Sequence, residues 1–474
     1  MPILMPSDTC AILGQGAEKC DSRSLFMDRF AKPDAKDDAT STPRRDWFNK
    51  LIGKTPCVQT NKTWWPEFSA VPPLYAQLRS RLMVNMAGGV MVNAGLCLDR
   101  FGLPYLPGSA VKGSARRLAL AALREWMEKG AKPSEDENLF TPACNPFSTP
   151  ADMLAEIALV FGWGEEDWDF GKRSKDGRLK SDLVYAVGES RWLLTFQQAG
   201  RLLLGEEPTA AKDFGHFAGS VSFLPAYPIK VGVQNLPLPE AELGKLELDV
   251  VTCHHGDYYG GEIDVATDTE APVPVVFPAV ASGHIFTFAM LPLRNCPSSR
   301  LGGARTWLAT SLATFGLGAK TAAGYGWFDV SEGLQLSVRV ALKVAEDRRL
   351  KEQRDREEET KRKSKEKEDK ERREKMKAAM ANLRPDQQDD FNLAQLTVDQ
   401  FRSALDNYAK RSMEEQKAIV RAMRSERGEP GSRRDFWDDL KAKAQKKGGK
   451  YAQTEQAIRQ LGKQMFPGKD GKMP

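Results

Sequence analysis

Short apolar runs in the middle of the chain predict an α+β domain with long insertions, which we bound at residues 79–340. Alternation at Leu82, Val84 and Met86 predicts a strand over 81–86. Further strands are predicted at 221–223, 245–252, 273–277, 285–291 and 326–330, and helices at 107–129 and 304–315. Residues 1–78 are irregular and rich in proline, and we expect them to pack on this domain.

The pattern changes after Val340. Residues 341–385 are mostly charged with interspersed signs, which predicts a solvated helical linker; a coiled coil would need an apolar seam that is missing. Residues 386–474 recover helical periodicity and form a small all-α module. Thr397 with Gln400, and Ser412 with Glu415, have the spacing of capping boxes. The module could tether an extra protein partner or nonspecific nucleic acid, or serve as a solubilising extension.

Charge and cysteine content narrow the class of protein. The residues after Val340 include 35 basic and 26 acidic side chains, a net charge of +9 that leaves −4 for the preceding part. The front part is therefore not a polycation, and any nucleic acid there must be bound by a few placed cations and backbone amides. Seven scattered cysteines without a C-x-x-C pair, and no apolar run of membrane-spanning length, lead us to expect a cytoplasmic protein without a membrane partner.

The segment 93–123 combines an apolar stripe with a cationic face. On a helical wheel Val111, Ala115, Leu118 and Ala122 fall together. Four residues fall on the opposite side, namely Ser109, Lys112, Gly113 and Arg116. Pro107 suits the first turn of a helix, whose free amides and dipole favour phosphate. The polar face predicts a phosphate site, and the alternative is an amphipathic helix whose polar face meets water.

A second segment, FGLGAKTAAGYGWF at 315–328, is rich in glycine. It is not a nucleotide-binding P-loop, because Ala319 separates Gly318 from Lys320 and a helix precedes it. It predicts a loop that lets backbone approach a polyanion, with Lys320 and Thr321 as phosphate donors and Tyr325 or Trp327 as stacking surfaces. The alternative is a glycine-rich turn without a ligand.

These two segments carry a family resemblance. LPYLPGSAVKGSARR resembles the P-G-S-x-x-K-G-x-x-R motif of the RAMP proteins of CRISPR systems, and GLGAKTAAGYGWF resembles their C-terminal glycine-rich loop. DSRSLFMDRF, LDVVTCHHGDYYGGE and APVPVVFPAV are similar to the terminal RAMP subunits of type III-B (Cmr) effector complexes. The resemblance covers about residues 20 to 335, and the tail lies outside it.

The resemblance implies a ferredoxin-like, RRM-related core that binds guide RNA (crRNA) near its 3′ end for antiviral defence. Expected partners are the guide and target RNA and the other RAMP and small subunits of the complex; no cofactor is expected. The residues carried over as RNA-binding are Ser109, Lys112, Gly113, Arg116, Gly316, Gly318, Lys320 and Thr321. Tyr325, the predicted stacking surface of the loop, completes the expected RNA-binding set. The two segments are expected to close one groove. One departure is Pro225, which stands where this branch usually has an aspartate.

Catalysis is the alternative function. Related slicing subunits cut target RNA with an aspartate ahead of the P-G-S helix, and Asp99 occupies the comparable region here. Asp99 could act in a metal-dependent endoribonuclease, or it could be a loop carboxylate paired with Arg100. Cys253, His254, His255 and Asp257 are the densest cluster of potential ligands, but adjacent strand residues point to opposite faces, and we expect no metal site there. No Ser-His-Asp or Cys-His arrangement is indicated. We therefore expect a subunit without enzymatic activity.

Overall fold

The structure is a computed structural model of the chain, which describes residues 20–30, 42–56, 72–84, 96–133, 138–175, 177–233, 236–268, 272–293, 295–381, 383–447, 449–468 and 473. The chain divides into two compact units, Met1–Asp347 and Arg348–Pro474. No helix of the described part is long and apolar enough to cross a membrane.

The described helices of the chain are α1 (Arg23–Asp28), α2 (Thr42–Gly53), α3 (Gly108–Lys129), α4 (Thr141–Cys144), α5 (Pro150–Phe161), α6 (Asp182–Val187), α7 (Trp192–Leu204), α8 (Gly256–Gly260), α9 (Ser298–Thr314), α10 (Glu332–Ala381), α11 (Pro385–Gln395), α12 (Val398–Asp406), α13 (Met413–Arg424), α14 (Arg434–Lys447) and α15 (Gly449–Met465). The strands are β1 (Leu74–Leu78), β2 (Val221–Phe223), β3 (Tyr227–Ile229), β4 (Leu246–Cys253), β5 (Val273–Val280), β6 (Ile285–Phe288), β7 (Met290–Pro292) and β8 (Phe328–Asp329).

The central sheet has four antiparallel strands in the order β3-β6-β1-β8. Along the chain its elements run β1, α3, β3, β6, α9, β8, which is a β-α-β-β-α-β unit. The first strand lies between the third and the fourth, and the second lies at the edge, as in ferredoxin-like folds. The predicted α+β class with a ferredoxin-like core is therefore confirmed.

Helices α3 and α9 cover one face of this sheet. The predicted apolar stripe of α3 is confirmed, because Val111, Ala115, Leu118 and Ala122 are all fully buried. They share one hydrophobic core with alternate residues of β1 and with Trp307 and Leu308 of α9. At about 25 cal/mol per Å² of apolar area, this burial is the main force that holds the helices on the sheet.

The first turns of α10 cover the opposite face of the sheet. Leu334 and Val338 pack against Tyr75, Ile229 and Ile285 in a separate small core. This packing occupies the face that an RRM-type protein would use for stacking bases. Nucleic acid bound to the first unit must therefore use another surface.

Three insertions extend the ferredoxin-like unit. The first lies between α3 and β3 and contains helices α4 to α7 and strand β2, which pairs with β7. The second lies between β3 and β6 and contains the long antiparallel pair β4 and β5. The third lies between β6 and α9 and contains the short strand β7. The sequence predicted long insertions but not the helices of the first.

The predicted strand over 81–86 is replaced by β1 at Leu74–Leu78. Leu82 makes a single antiparallel bridge with Val280, and residues 85 and 86 lie outside the described residues. Every residue of β1 is buried, because α3 and α9 cover one face and α10 the other. A strand buried on both faces does not alternate, so a search for period-two alternation misses it.

The structure confirms the predicted long charged helix, which begins in the first unit and continues into the second. Helix α10 has 50 residues, of which only Leu334, Gln335 and Val338 are buried. Helices α11 to α15 enclose a core that includes Phe401, Ile419, Trp437 and Ile458. The capping boxes at Thr397 and Ser412 are both formed, with Gln400 and Glu415 as their reciprocal partners.

Candidate functional site

Helix α3 begins at a close approach of two chain segments. Leu106 forms an antiparallel bridge with Ala226, and Pro107 precedes the helix in an extended conformation without a capping side chain. A Cβ atom at Gly108 would lie 2.3 Å from the carbonyl oxygen of Phe223, so only glycine fits there. The start of α3 is thus fixed against β2 while its first amide groups remain uncapped, as a phosphate site requires.

The polar face of α3 lines a cleft of about 810 Å³. Ser109, Lys112 and Arg116 form one wall. The other wall belongs to the first insertion and its neighbours, and its side chains include Trp163, Asp167, Lys180, Asp182 and Phe217. The fold therefore brings three predicted site residues to one cavity, together with residues that the sequence did not indicate.

Arg116 is held by the far wall of this cleft. Its Nη1 forms an ion pair with Asp182, and its Nη2 donates a hydrogen bond of 2.8 Å to Asp182 Oδ1. Burial lowers the pKa of Arg116, and the charge of nearby Asp167 opposes that shift. The ion pair and the hydrogen bond to Asp182, the more exposed partner, link α3 to the insertion.

Lys112 differs from Arg116 in its ion pairing. No carboxylate among the described residues lies within 4.0 Å of its ammonium group. Burial lowers the pKa of Lys112, and the neighbouring positive charge of Arg116 lowers it further. An anion bound in the cleft would counter both effects, because an opposite charge favours the protonated form.

The far wall of the cleft presents two stacked aromatic rings. The ring centroids of Trp163 and Phe217 lie 4.6 Å apart with an interplanar angle of 24°. Their backbones form an antiparallel bridge, in which the amide of each residue donates a 2.9 Å hydrogen bond to the carbonyl oxygen of the other. Gly162 and Gly219 permit this crossing, because a Cβ atom on Gly162 would lie 2.5 Å from the amide nitrogen of Gly219.

The glycine-rich loop after α9 packs closely against residues 79–83. Ala319 N donates to Met83 O and Gly326 N donates to Arg81 O, both at 2.8 Å. Gly318 has a φ of +109°, and its Cβ would lie 2.3 Å from Met83 O. A Cβ atom on Gly316 would lie 2.7 Å from the carbonyl oxygen of Gly326. Steric requirements of the protein itself therefore explain these glycines.

Polar side chains of the loop are divided between internal contacts and solvent. Tyr325 donates a 2.7 Å hydrogen bond to Asp249 Oδ2, and burial together with that bond raises its pKa to about 12. The indole of Trp327 donates to the carbonyl oxygen of Thr321 at 3.0 Å. Lys320 is exposed and has a left-handed φ of 57°, so it is the loop's available cation.

The two predicted segments are joined through the contact between α3 and α9. Ser114 Oγ and Ser311 Oγ lie 2.8 Å apart, and the Arg117 guanidinium lies 4.6 Å from the ring centroid of Phe315. No residue of 316–325 lines the cleft. This cavity is therefore not the groove that the two segments were expected to close together. Exposed Gly113 and Arg117 are one helical turn apart and form a surface from the cleft to the loop.

Asp99 has a structural role in its loop. Its Oδ1 accepts hydrogen bonds from the amides of Phe101 and Leu103 at 2.8 and 2.9 Å. Arg100 does not hold it, because that guanidinium lies over the ring of Phe101 at 4.7 Å. Pro225 lies in the turn between β2 and β3.

The other candidate ligands lie at the tip of the β4–β5 pair. His254 is exposed and His255 is half-buried, while the side chain of Cys253 lies outside the described part. Within the described ranges, no group of three or more His, Cys, Asp or Glu side chains is placed to hold a metal ion.

A ferredoxin-like unit with a glycine-containing, cationic helix α3 and a glycine-rich loop after α9 is typical of one class of protein. Comparison with known families identifies that class. The model of the RAMP superfamily matches residues 87–329, which is 243 of the 474 residues, and the chain belongs to that superfamily.

Individual relatives are similar over part of the chain. The CRISPR system Cmr subunit Cmr6 of Pyrococcus furiosus is 27% identical over 253 residues, 52% of this chain and 64% of that protein, so the chain spans less than two thirds of this relative. A crystal structure of Pyrococcus furiosus Cmr6 shares 22% identity over 55% of this chain and 97% of that one, with a TM-score of 0.26. A Type III-B Cmr-beta complex bound to cognate target RNA contains a chain with 15% identity and a TM-score of 0.29, over 69% of this chain and 73% of that one.

Sequence reasoning missed the far wall of the cleft. Trp163, Lys180 and Phe217 lie in a segment without a recognisable motif, at positions 51 to 105 residues after Lys112. The tryptophan and glycine content of the insertion was the available signal. It indicates that the insertion packs closely, but it does not show that the insertion faces α3.

Proposed function

We propose that this chain is an RNA-binding and assembly subunit of a type III CRISPR ribonucleoprotein, which holds guide RNA near its 3′ end. The observation that carries the proposal is Lys112, a half-buried cation beside the uncapped start of α3 that has no carboxylate partner among the described residues. Membership of the RAMP superfamily and the similarity to Cmr6 support it. Target RNA, the other RAMP and small subunits, and a cytoplasmic location belong to the same proposal.

The RNA strand would follow a path set by exposed backbone and cations. Its phosphates would meet Ser109 and Lys112, then cross Gly113 beside Arg117, and reach Lys320 in the glycine-rich loop. The protein contributes few cations here, so binding relies on geometry as well as on charge. Thr321 and the loop glycines would act through their backbone.

The substitution Lys112→Ala tests this proposal on the purified full chain. Titration of a labelled single-stranded oligoribonucleotide at several salt concentrations should show weaker binding for any sequence, with the salt slope reduced by about one. Arg116 is a poorer target because its loss would also release Asp182.

Lys129→Ala is the matched control, since Lys129 lies on the same helix, pairs with Glu125 at 2.7 Å and lies away from the cleft. Equal affinities and slopes for the Lys112→Ala variant and the unchanged chain would refute the proposal.

We further propose that the chain itself is not a nuclease. Asp99 is occupied by two backbone amides, a role that Asp99→Asn preserves with its remaining oxygen. The complex purified from the native cell with this substitution should cut a matched target RNA into the same fragments as the unchanged complex. Loss of one fragment series would instead favour the metal-dependent endoribonuclease.

A further inference from the structure

The cleft between α3 and the first insertion combines features that the binding of a phosphate strand does not require. Its aromatic wall faces the cationic wall across one cavity. We propose that this cleft receives a single unstacked nucleotide of the bound RNA, with its phosphate at Ser109 and Lys112 and its base against the Trp163–Phe217 pair. The inference rests on the proposed RNA-binding function and adds a base-binding subsite to it.

The charges of the cleft fit one phosphodiester. Lys112 and Lys180 both line it, and neither lies within 4.0 Å of a carboxylate of the described residues. Asp182 is already paired with Arg116, and Asp167 Oδ2 accepts the amide of Gly164 at 2.8 Å. Two cations thus remain for an anion, one on each wall.

The aromatic pair is a fixed platform. Trp163 Nε1 donates to Phe214 O at 3.0 Å, and the ring meets Trp168 edge-on at 6.1 Å. Phe217 is held parallel to Trp163 by the backbone bridge between them. Rings held in this way lose little freedom when a base stacks on them, and stacking accepts any base.

The size and lining of the cleft also fit one nucleotide. Its volume of about 810 Å³ lies in the range of small-ligand sites, which is too small for a duplex. Gly108, Gly162, Ala218 and Gly219 also line the cleft, so a ribose-phosphate there would meet backbone and one methyl group over this part of its surface.

Cross-linking maps the subsite without altering the protein. The full chain is irradiated with a single-stranded oligoribonucleotide that contains 5-iodouridine, and the cross-linked peptides are identified by mass spectrometry. We expect adducts on Trp163 or Phe217. Binding with adducts at other places only would overturn the inference and leave the proposed function intact. Failure of the unchanged chain to bind RNA would overturn both.

A pair of ligands separates base stacking from structural damage. Trp163→Leu should weaken binding of the oligoribonucleotide roughly tenfold, because one stacking contact is lost. It should leave unchanged the binding of an oligomer of equal length whose sugars carry no bases. Equal losses for both ligands would show that Trp163 only supports the fold, and the inference would be wrong.

Phe170→Leu is the control for this comparison. Phe170 is an aromatic residue of the same insertion, 40% exposed and outside the cleft. It should bind both ligands as the unchanged chain does. A tenfold loss in this variant would assign the effect to the insertion's stability and contradict the proposed subsite.

Discussion

His284 lies at the turn between β5 and β6, where its imidazole is 1% exposed and its Nδ1 is 2.7 Å from the carbonyl oxygen of Ala281. Burial lowers the pKa of His284 below 6.5, so the folded protein keeps the ring neutral. Below pH 6.5 the imidazole of His284 binds a proton in the unfolded chain but not in the folded chain. Stability from this residue is therefore complete above pH 6.5 and is lost as the pH falls below it.

The substitution His284→Asn tests this linkage. Its amide can still donate to Ala281 O but does not titrate, so the decline in unfolding free energy between pH 6.5 and 5 should become shallower than in the unchanged chain. Urea denaturation at several pH values measures it. His254→Asn, at an exposed position, should retain the original slope. Identical slopes for the His284 variant and the unchanged chain would count against the buried neutral ring.

For Arg116, the sequence predicts the position of the side chain but not its ion-pair partner. The wheel places it beside Lys112 on the polar face, and the structure keeps it there. Its partner Asp182, however, lies 66 residues further along the chain. The sequence predicts which side of a helix a guanidinium occupies, whereas the tertiary fold decides whether that guanidinium is free.

At the scale of elements, Gln335 of α10 completes the pairing of the central strand. β8 pairs only with Gln77 and Leu78, which leaves Tyr75 beyond its end. Gln335 Oε1 accepts from Tyr75 N at 3.0 Å, and its Nε2 donates to Tyr75 O. A side-chain amide thus stands in for a strand and fixes α10 on the sheet.

Replacing Gln335 by leucine should lower the free energy of unfolding by about 1–3 kcal/mol, because two buried backbone groups lose their partner. Chemical denaturation of the full chain measures the change in the transition of the first unit. Gln353→Leu, on the exposed part of the same helix, should change stability by no more than about 0.5 kcal/mol. If the Gln335 variant unfolds with an unchanged free energy, water or another group must form hydrogen bonds with the backbone of Tyr75.

Helix α10 also shows why its charged part was predictable. Pairs such as Lys363 with Glu359 at 2.7 Å join residues four apart, and such pairs depend only on spacing. Its first turns carry Leu334 and Val338, which pack on the sheet, and this contact was not predicted. Local spacing cannot predict this contact, because the sheet residues lie up to 263 positions earlier in the chain.

At the scale of the molecule, each of the two units has a main hydrophobic core of its own in the part that the structure describes. Along the chain, Phe328 is the last buried residue of the first unit's large core, and Leu393 is the first buried residue of the second unit's core. Each unit thus buries its own apolar surface, which is the physical condition for folding independently.

A chain that ends at Asp347 should therefore fold and bind RNA with the affinity of the full chain. It retains the covering turns of α10 up to Leu342 and every residue of the cleft. Salt-dependent RNA titration and assembly with partner subunits check this expectation. Unchanged RNA binding with lost assembly would assign the second unit to a protein partner; weaker RNA binding would assign it to nucleic acid.

The sequence alone determined the features that depend on near neighbours: the faces of α3, the capping boxes, the charged helix and the motifs of the RAMP superfamily. Spacing fixes these because residues three or four apart meet on a helix wherever it lies. The tertiary structure decided what each face meets. Only the fold could bring Trp163 and Phe217 opposite Lys112, pair Arg116 with Asp182, and bury both faces of β1, because these contacts join segments far apart in the chain.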